Sequence, residues 1–408
     1  MSAVGIESIG VYPCALALPM EALCAARGAE PEHVRGEMLI DERSLNPPFE
    51  DPITMAVHAG MIALAGVDRS DVELLLVCSE SGVDQEKAMS TWVHRYLDLP
   101  SRCRNLELKH ACYSATAALG LAASWIRSGE AAGKKALVVA SDQSRMHLGK
   151  PWEFVMGAGA AAFVVSDEPA FLELERGRGI YTEEVSDLTR PTSTVETGNS
   201  ATSLLSYMHA LQETYDDLQR SVGQLDYAED FAFNIYHAPF GGLTRRAHRT
   251  LLRRAGVHDG EAALADFRRR SEPALRFNRR MGGTYAASTF VGLLGLAEHD
   301  EARAGDRLSI FSYGSGCCAE LYRARFGRRF RALAERAALG GLVAARRQVT
   351  VAEYEALEAT RTAQIDQGDF TPDLEALPGL FESHYAGRHR LLFRGCKGHV
   401  RQYAWSDA

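Results

Sequence analysis

A strand followed by a helix is indicated by the stretch NLELKHACYSATAALGLAASW, residues 105–125. Its first seven residues are typical of a strand, and the small residues that follow Cys112 predict a helix packed closely against a sheet. Cys112 therefore lies where a strand gives way to a helix. The positive end of a helix dipole favours a thiolate, which is the nucleophilic form of cysteine. A buried structural cysteine fits the same pattern.

Apolar runs on both sides of this stretch predict further buried strands. They are VELLLVCSES (72–81), ALVVAS (136–141), AAAFVVS (160–166), FAFNIYHA (231–238) and two strands within LSIFSYGSGCCAELYRA (308–324). Several of these runs precede helical stretches, and this alternation predicts an α/β layered fold with a largely buried sheet.

The second half of the chain echoes the first. The Gly-rich turn GAGA (157–160) leads into a strand, and GSG (314–316) does the same later in the chain. This layout favours two related halves, residues 1–170 and 171–408, with a helical insertion at about 195–225 in the second. Two unrelated α/β lobes are the alternative interpretation.

Composition excludes several classes of protein. The chain has 408 residues, of which 46% are apolar, and its net charge of −8 provides no global basic field for nucleic acid. The N-terminus does not resemble a signal peptide, and no apolar run is long enough to span a membrane, so we expect a cytoplasmic protein. The eight cysteines show no metal-ligand spacing, so neither a metal site nor a disulfide framework is predicted.

Glu80 and His237 also end apolar runs. A carboxylate at the end of such a strand faces the usual ligand side of an α/β sheet, and partial burial would make it a usable general base. Histidine is the obvious proton donor at neutral pH. A helix-capping glutamate and a structural histidine are the alternatives.

Glu80, Cys112 and His237, in this order, resemble the catalytic trio of 3-hydroxy-3-methylglutaryl-CoA synthases. The resemblance covers nearly the whole chain and rests on EDPITMAVHAG (50–60), SESGVDQEKAMSTWVHRYLDLP (79–100), KHACYSAT (109–116), GAGAAAF (157–163), YHAPFGG (236–242) and SYGSG (312–316). It implies a thiolase-type fold, with a duplicated five-layer αβαβα architecture that buries the site between its halves. It also implies a homodimer.

The resemblance implies a reaction in three steps that needs neither a metal nor a redox cofactor. Cys112 takes an acetyl group from a donor thioester, and Glu80 removes a proton from the acetyl methyl. The carbanion attacks the β-ketone of a second thioester while His237 protonates or hydrogen-bonds the alkoxide, and water then releases the product. The residues expected to bind substrate or stabilise the oxyanion are Tyr313, Gly314, Ser315 and Gly283.

Four features resemble the polyketide branch of this family, whose enzymes install β-branches on carrier-bound chains. They are KHACYSAT, HAPFGGLTRRAHR (237–249), GSGCC (314–318) and HVRQYAW (399–405). This branch implies two partners, an acetyl-donor acyl carrier protein and an acceptor acyl carrier protein of a polyketide synthase.

A local surplus of arginine points to the same partners. Residues 245–280 hold eleven arginines against four acidic residues, a surplus of about +7 in an acidic protein. Arg245, Arg246 and Arg249 are therefore predicted to dock an acidic carrier protein or a phosphopantetheine phosphate. A solvated helix face is the alternative.

One position departs from the family pattern. Gly283, in RRMGGTYAAS (279–288), stands where the family places an asparagine that orients the acceptor carbonyl. The change predicts room for a larger or different acceptor, or else reduced activity. Three other functions stay open at this point: a primary-metabolism synthase that uses acetyl-CoA and acetoacetyl-CoA, a non-catalytic homologue that only binds carrier proteins, and a ketoacyl synthase or thiolase.

Overall fold

A computed structural model describes residues 3–144 and 147–407, which form sixteen strands and thirteen α-helices. The strands are β1 Gly5–Tyr12, β2 Leu16–Pro19, β3 Glu42–Leu45, β4 Val72–Cys78, β5 Arg104–Leu108, β6 Lys135–Asp142, β7 Gly159–Ser166, β8 Leu172–Thr182, β9 Leu188–Thr189, β10 Thr197–Gly198, β11 Phe233–Tyr236, β12 Arg307–Gly314, β13 Cys318–Phe326, β14 Arg347–Gln348, β15 Leu391–Lys397 and β16 Val400–Trp405.

The α-helices are α1 Met20–Arg27, α2 Pro52–Ala63, α3 Met89–Tyr96, α4 Ser114–Ser128, α5 Ser200–Val222, α6 Gly241–Arg254, α7 Gly260–Arg270, α8 Asn278–Met281, α9 Ser288–Ala297, α10 Phe330–Ala337, α11 Leu339–Ala344, α12 Val351–Ala363 and α13 Leu380–His384. Short 3₁₀ helices cover Arg69–Asp71, Pro151–Phe154, Glu272–Leu275 and Tyr285–Ala287, and His33–Glu37 forms a π-helical turn.

Nine of the strands form one mixed sheet in the order β11-β12-β13-β8-β1-β7-β6-β4-β5. Reading outward from the β8–β1 junction, each side begins with two antiparallel pairings and continues with a parallel one. The junction itself pairs only Gly5 with Glu173 and Ile6 with Leu172. The chain thus uses the same strand arrangement twice, while the proposed division at residue 170 stays a prediction.

Buried side chains lie on both faces of this sheet. The largest cluster holds α4 and α9 between strands from both sides of the junction, and Phe163 of β7 stacks on Phe290 of α9 with ring centroids 4.3 Å apart. Helices α2 and α3 cover the opposite face of β4, β6 and β7, whereas α5 and α6 cover the outer face of β12 and β13. Because Ala115, Ala118 and Ala122 of α4 are small and fully buried, this helix approaches the strands closely.

The α/β class predicted from the sequence is confirmed. Each apolar run identified as a buried strand contains an observed strand, and α5 lies within the predicted helical stretch at about 195–225. The burial predicted for residues 105–111 was wrong, because β5 lies at the edge of the sheet and is partly exposed. Among the described residues, no helix is both long enough and apolar enough to cross a membrane.

Candidate active site

Glu80 and Cys112 meet where two parallel strands end. Strands β4 and β5 are neighbours, with Cys78 paired to Leu108, so the loops that follow them emerge side by side. The Cys112 Sγ lies 3.6 Å from the Glu80 Oε2. Both residues keep intermediate exposure, so a ligand can reach them.

The predicted helix-dipole effect on the thiol was wrong. Helix α4 begins at Ser114, two residues after the thiol. Burial raises the pKa of Cys112 well above its usual range, and the charges of Glu80, Asp142 and Asp187 raise it further. Because burial and three nearby acidic residues disfavour the thiolate, the resting sulfur is a neutral thiol that needs a base when it attacks.

The Glu80 loop is held by Asp142, the last residue of β6. The Asp142 Oδ1 accepts hydrogen bonds from the Ser79 hydroxyl at 3.0 Å and from the Glu80 and Ser81 N–H groups at 2.9 and 3.0 Å. Burial raises the pKa of Glu80 to about 8, with a further rise from Asp142 and an opposing effect of Arg190. Asp142 was not among the predicted site residues, although it ends an apolar strand just as Glu80 does.

His237 follows β11 and is fixed through its main chain and its ring. Its N–H donates to the Phe311 carbonyl at 2.7 Å, and its own carbonyl accepts from the Tyr207 hydroxyl at 2.8 Å. The Nδ1 lies 2.8 Å from the Ser288 Oγ. Burial lowers the pKa of His237 to about 3, so the ring is neutral at physiological pH. It can therefore donate a hydrogen bond, but it is not the protonated acid that the sequence suggested.

The Gly-rich turn after β12 packs against the nucleophile loop. A Cβ atom on Gly314 would lie 2.6 Å from the His110 carbonyl oxygen and 2.8 Å from the Tyr113 nitrogen, so only glycine fits. Ser315 follows at the partly exposed tip of this turn. The Tyr313 phenol points into the protein instead, where it donates to Asp187 Oδ2 at 3.1 Å and lies 3.0 Å from the Ser206 Oγ.

Residues 183–199, which we call the strap, lie against the glycine turn and the Glu80 loop. No sequence pattern identified this segment as part of the site. The Asp187 Oδ1 accepts from the Gly316 N–H at 3.0 Å, and the Val185 N–H donates to the Gly316 carbonyl at 2.7 Å. The Arg190 Nη1 donates to the Glu80 carbonyl at 2.8 Å. The strap therefore holds the glycine turn and the Glu80 loop together.

The room predicted at Gly283 is absent. A Cβ atom at this position would lie 2.6 Å from the Pro239 carbonyl oxygen, so the main chain itself occupies the space. The Gly283 carbonyl accepts from the Gly157 N–H at 2.9 Å, and the Ala158 N–H donates to the Ser44 carbonyl at 3.0 Å. The first two N–H groups of GAGA thus donate to main-chain carbonyls.

The arginine surplus of residues 245–280 is smaller than a count along the sequence suggests. Acidic residues from outside this window pair with several of its arginines: Asp41 with Arg279, Glu42 with Arg280, Asp216 with Arg254 and Glu298 with Arg276. Arg246 and Arg249 are exposed on α6, where no described carboxylate pairs with them, and Arg245 donates to the Glu37 carbonyl at 3.4 Å. A smaller basic patch remains on α6.

Comparison with known proteins agrees with this geometry. The N-terminal region of hydroxymethylglutaryl-coenzyme A synthases matches residues 50–169, and their C-terminal region matches residues 259–388. The polyketide biosynthesis 3-hydroxy-3-methylglutaryl-ACP synthase PksG of Bacillus subtilis (strain 168) is 32% identical over 420 residues, covering 99% of this chain and 100% of that protein. The chain belongs to the hydroxymethylglutaryl-CoA synthase family. It is accordingly an acyltransferase and condensing enzyme of the HMG synthase type.

Other members of the family are also similar along most of their length. The hydroxymethylglutaryl-CoA synthase of Enterococcus faecalis is 30% identical, covering 89% of this chain and 94% of that protein. The HMG synthase of the curacin biosynthetic pathway, solved in complex with holo donor-ACP, is 35% identical with a TM-score of 0.94, covering 99% of this chain and 100% of that one. The fold is thus the mixed α/β, thiolase-like fold of this family.

Proposed function

We propose that this enzyme condenses an acetyl group, carried on Cys112, with the β-ketone of a carrier-protein-bound polyketide intermediate and then hydrolyses the enzyme thioester. The observation that carries the chemistry is the 3.6 Å contact between the Cys112 Sγ and the Glu80 Oε2. The full-length similarity to two polyketide-pathway synthases, at 32% and 35% identity, supports the choice of substrate.

In the first step, the Cys112 sulfur bonds to the acetyl carbon of the donor thioester. The donor thiolate leaves, and the proton of the Cys112 thiol reaches it through Glu80, the base in contact with the sulfur. A buried thiol with a raised pKa requires such a base. Main-chain N–H groups near Cys112 and Ser315 are our candidates for stabilising the oxyanion.

In the second step, the Glu80 carboxylate removes a proton from the methyl group of acetyl-Cys112. A pKa of about 8 makes Glu80 a stronger base than an ordinary carboxylate, which suits a weakly acidic C–H group. The carbanion attacks the acceptor ketone, and neutral His237 donates a hydrogen bond to the alkoxide as its charge develops. The alkoxide then takes up one proton, which balances the methyl proton that Glu80 removed. Water then cleaves the thioester, leaving a free carboxylate on the product and a thiol on Cys112.

We further propose that the fold is a duplicated, five-layer αβαβα arrangement, with halves at residues 1–170 and 171–408. The repeated strand order on the two sides of the β8–β1 junction supports this division. Helices α4 and α9, which lie between strands of both sides, would form the central layer. The loops of Glu80 and Cys112 then come from the first half, and His237 and the glycine turn from the second.

A cytoplasmic location is also part of the proposal. All eight cysteines are free thiols, and Cys112 must stay reduced to carry an acyl group. Free thiols persist in reducing compartments.

The donor test distinguishes this function from the primary-metabolism alternative. Acetylation of Cys112 should be measured with acetyl-carrier protein and with acetyl-CoA at equal concentrations, at about 0.05 M and about 0.5 M salt. We expect the carrier protein to react about tenfold faster at low salt, because the basic patch on α6 attracts an acidic partner. This advantage should shrink at high salt, which screens the attraction.

Charge reversal locates the docking surface. Arg246→Glu and Arg249→Glu should reduce acetylation by the carrier protein and leave acetylation by acetyl-CoA unchanged. Arg328→Glu, an exposed arginine in the turn before α10, makes the same charge change elsewhere and should have no such effect. If acetyl-CoA reacts equally well or better under every condition, the enzyme is a primary-metabolism synthase with the same chemistry at Cys112.

We propose that two copies associate along β5, the strand at one end of the nine-stranded sheet. Its outer edge has no partner among the described residues, and Leu106 on this strand is 55% exposed. An edge strand with exposed apolar side chains is a template for pairing with a second chain. Sedimentation of the wild type should show a dimer, and Leu106→Lys should shift it toward the monomer. Leu205→Lys, at a position on α5 that is 70% exposed, should leave the dimer intact.

A further inference from the structure

Two hydrogen bonds, one from its N–H and one to its carbonyl, hold the main chain of Glu80. Its N–H donates to the Asp142 Oδ1 at 2.9 Å, and its carbonyl accepts from the Arg190 Nη1 at 2.8 Å. Asp142 belongs to the buried strand β6, whereas Arg190 belongs to the strap. With both main-chain groups engaged, the loop that carries the Glu80 carboxylate has one well-defined position.

Arg190 is itself held by a chain of hydrogen-bonded, largely buried side chains. Its Nε donates to Glu196 Oε2 at 3.0 Å, and Glu196 Oε1 lies 2.9 Å from His147 Nε2. The His147 Nδ1 lies 2.9 Å from the hydroxyl of Ser144, two residues after Asp142 along the chain. The side chains of Arg190, Glu196 and His147 are only 15%, 8% and 4% exposed. A guanidinium that is buried and anchored in this way stays in one orientation.

The charges around Glu80 make this cation important. Asp142 and Glu196 are acidic groups that disfavour a second negative charge nearby, and Arg190 opposes them. The other ionisable groups close to the carboxyl, the Cys112 thiol and the Tyr285 phenol, are kept neutral by burial. A base that removes a methyl proton must be an anion when it acts, so the site needs a fixed positive charge beside it.

We propose that Arg190 is a positioning residue for Glu80: it fixes the Glu80 main chain and supplies a positive charge that favours the ionised carboxylate needed in the condensation step. The inference rests on the proposed role of Glu80 as the base. It assigns a purpose to the strap, which contacts both the Glu80 loop and the glycine turn.

The test measures acetylation of Cys112 and condensation with the acceptor separately. Cys112 is first acetylated, and a single round of condensation with an acceptor thioester is then timed between pH 6 and pH 9. Once Cys112 is acetylated it has no proton to lose. The rise of the condensation rate with pH, which we call the acid limb, therefore reports the ionisation of Glu80 together with its buried neighbour Asp142.

Arg190→Gln should condense about 10- to 100-fold more slowly at pH 7, because a smaller fraction of the Glu80 carboxyl is then ionised. Acetylation of Cys112, which uses the same carboxyl as its base, should fall with the same pH dependence. Losing a cation raises the pKa of Glu80, so the acid limb should move by about one unit to higher pH and the deficit should shrink as the pH rises. Arg190→Lys, which keeps the charge but loses the guanidinium geometry, should restore the position of the limb more fully than the rate.

Arg307→Gln is the matched control, because it removes another partly buried arginine from a carboxylate, Glu175, away from the catalytic loops. It should lower thermal stability without moving the limb. The inference is overturned if Arg190→Gln slows acetylation and condensation with a deficit that is constant across pH, since that pattern indicates structural damage alone. If Glu80→Gln condenses at the wild-type rate, the proposed base fails and the role of Arg190 fails with it. An unshifted limb in Arg190→Gln, with Glu80→Gln inactive in condensation, would overturn the role of Arg190 alone.

Discussion

Cys112→Ala should lower turnover by on the order of 10⁴-fold or more, because the acetyl group then has no atom to bond to during the reaction. After incubation with an acetyl thioester, mass spectrometry of the peptide that carries residue 112 should show the added acetyl group in the wild type and none in the variant. Acetylation followed by release of a carboxylate product would also exclude the non-catalytic carrier-binding alternative.

Cys318→Ala is the matched control for this experiment. Cys318 is a second partly exposed thiol, close to the glycine turn, where its sulfur accepts a hydrogen bond from the Thr182 hydroxyl at 3.4 Å. We expect this variant to be acetylated on Cys112 and to turn over like the wild type. Acetyl found on Cys318 or Cys396, with residue 112 unlabelled, would remove Cys112 from the mechanism.

The central strands of this fold were predictable because they are buried on both faces. Strands β6 and β7 have almost no exposed positions, so they occur in the sequence as continuous apolar runs bounded by polar residues or glycine. Helix α4 was predictable for a related reason, since its small side chains indicate close packing. The exact start of α4, two residues beyond Cys112, could not be predicted from the pattern.

The candidate site was predictable only in part. Glu80, Cys112 and His237 follow strands and match a family pattern, and Asp142 carried the same strand-end signal without being recognised. Arg190 lies 110 residues from Glu80 along the chain, in an irregular strap with no hydrophobic period, so no local pattern pointed to their contact.

Electrostatic properties depended even more on tertiary structure. The pKa of the Cys112 thiol is raised by burial and by acidic residues from three separate parts of the chain, Glu80, Asp142 and Asp187. The arginine surplus after residue 245 shrank because its partners, such as Asp41 and Asp216, come from distant parts of the chain. Neither effect is visible in a window of sequence.

Glu80→Ala should leave acetylation of Cys112 possible while condensation falls by about 10²- to 10⁴-fold, the usual effect of losing a general base. The donor thioester can still be attacked slowly with solvent as the base, so acetyl-enzyme should accumulate. Mass spectrometry would follow the acetylated peptide, and release of the product carboxylate would follow condensation. Glu107→Gln is the control, because it alters a partly buried carboxylate on β5 that bonds only the Met89 N–H at 2.6 Å. It should leave both steps near the wild-type rate.

The pH dependence of the condensation rate tests the same role of Glu80. Burial and Asp142 raise the pKa of Glu80 to about 8, so below pH 8 most enzyme molecules carry a protonated, inactive carboxyl. Condensation by pre-acetylated wild-type enzyme should therefore rise about tenfold per pH unit below the limb and level off above about pH 9. In Glu80→Ala this rise should disappear, because no group with that pKa takes the methyl proton. A variant that condenses near the wild-type rate, with the limb intact, would show that Glu80 is structural and that another group is the base.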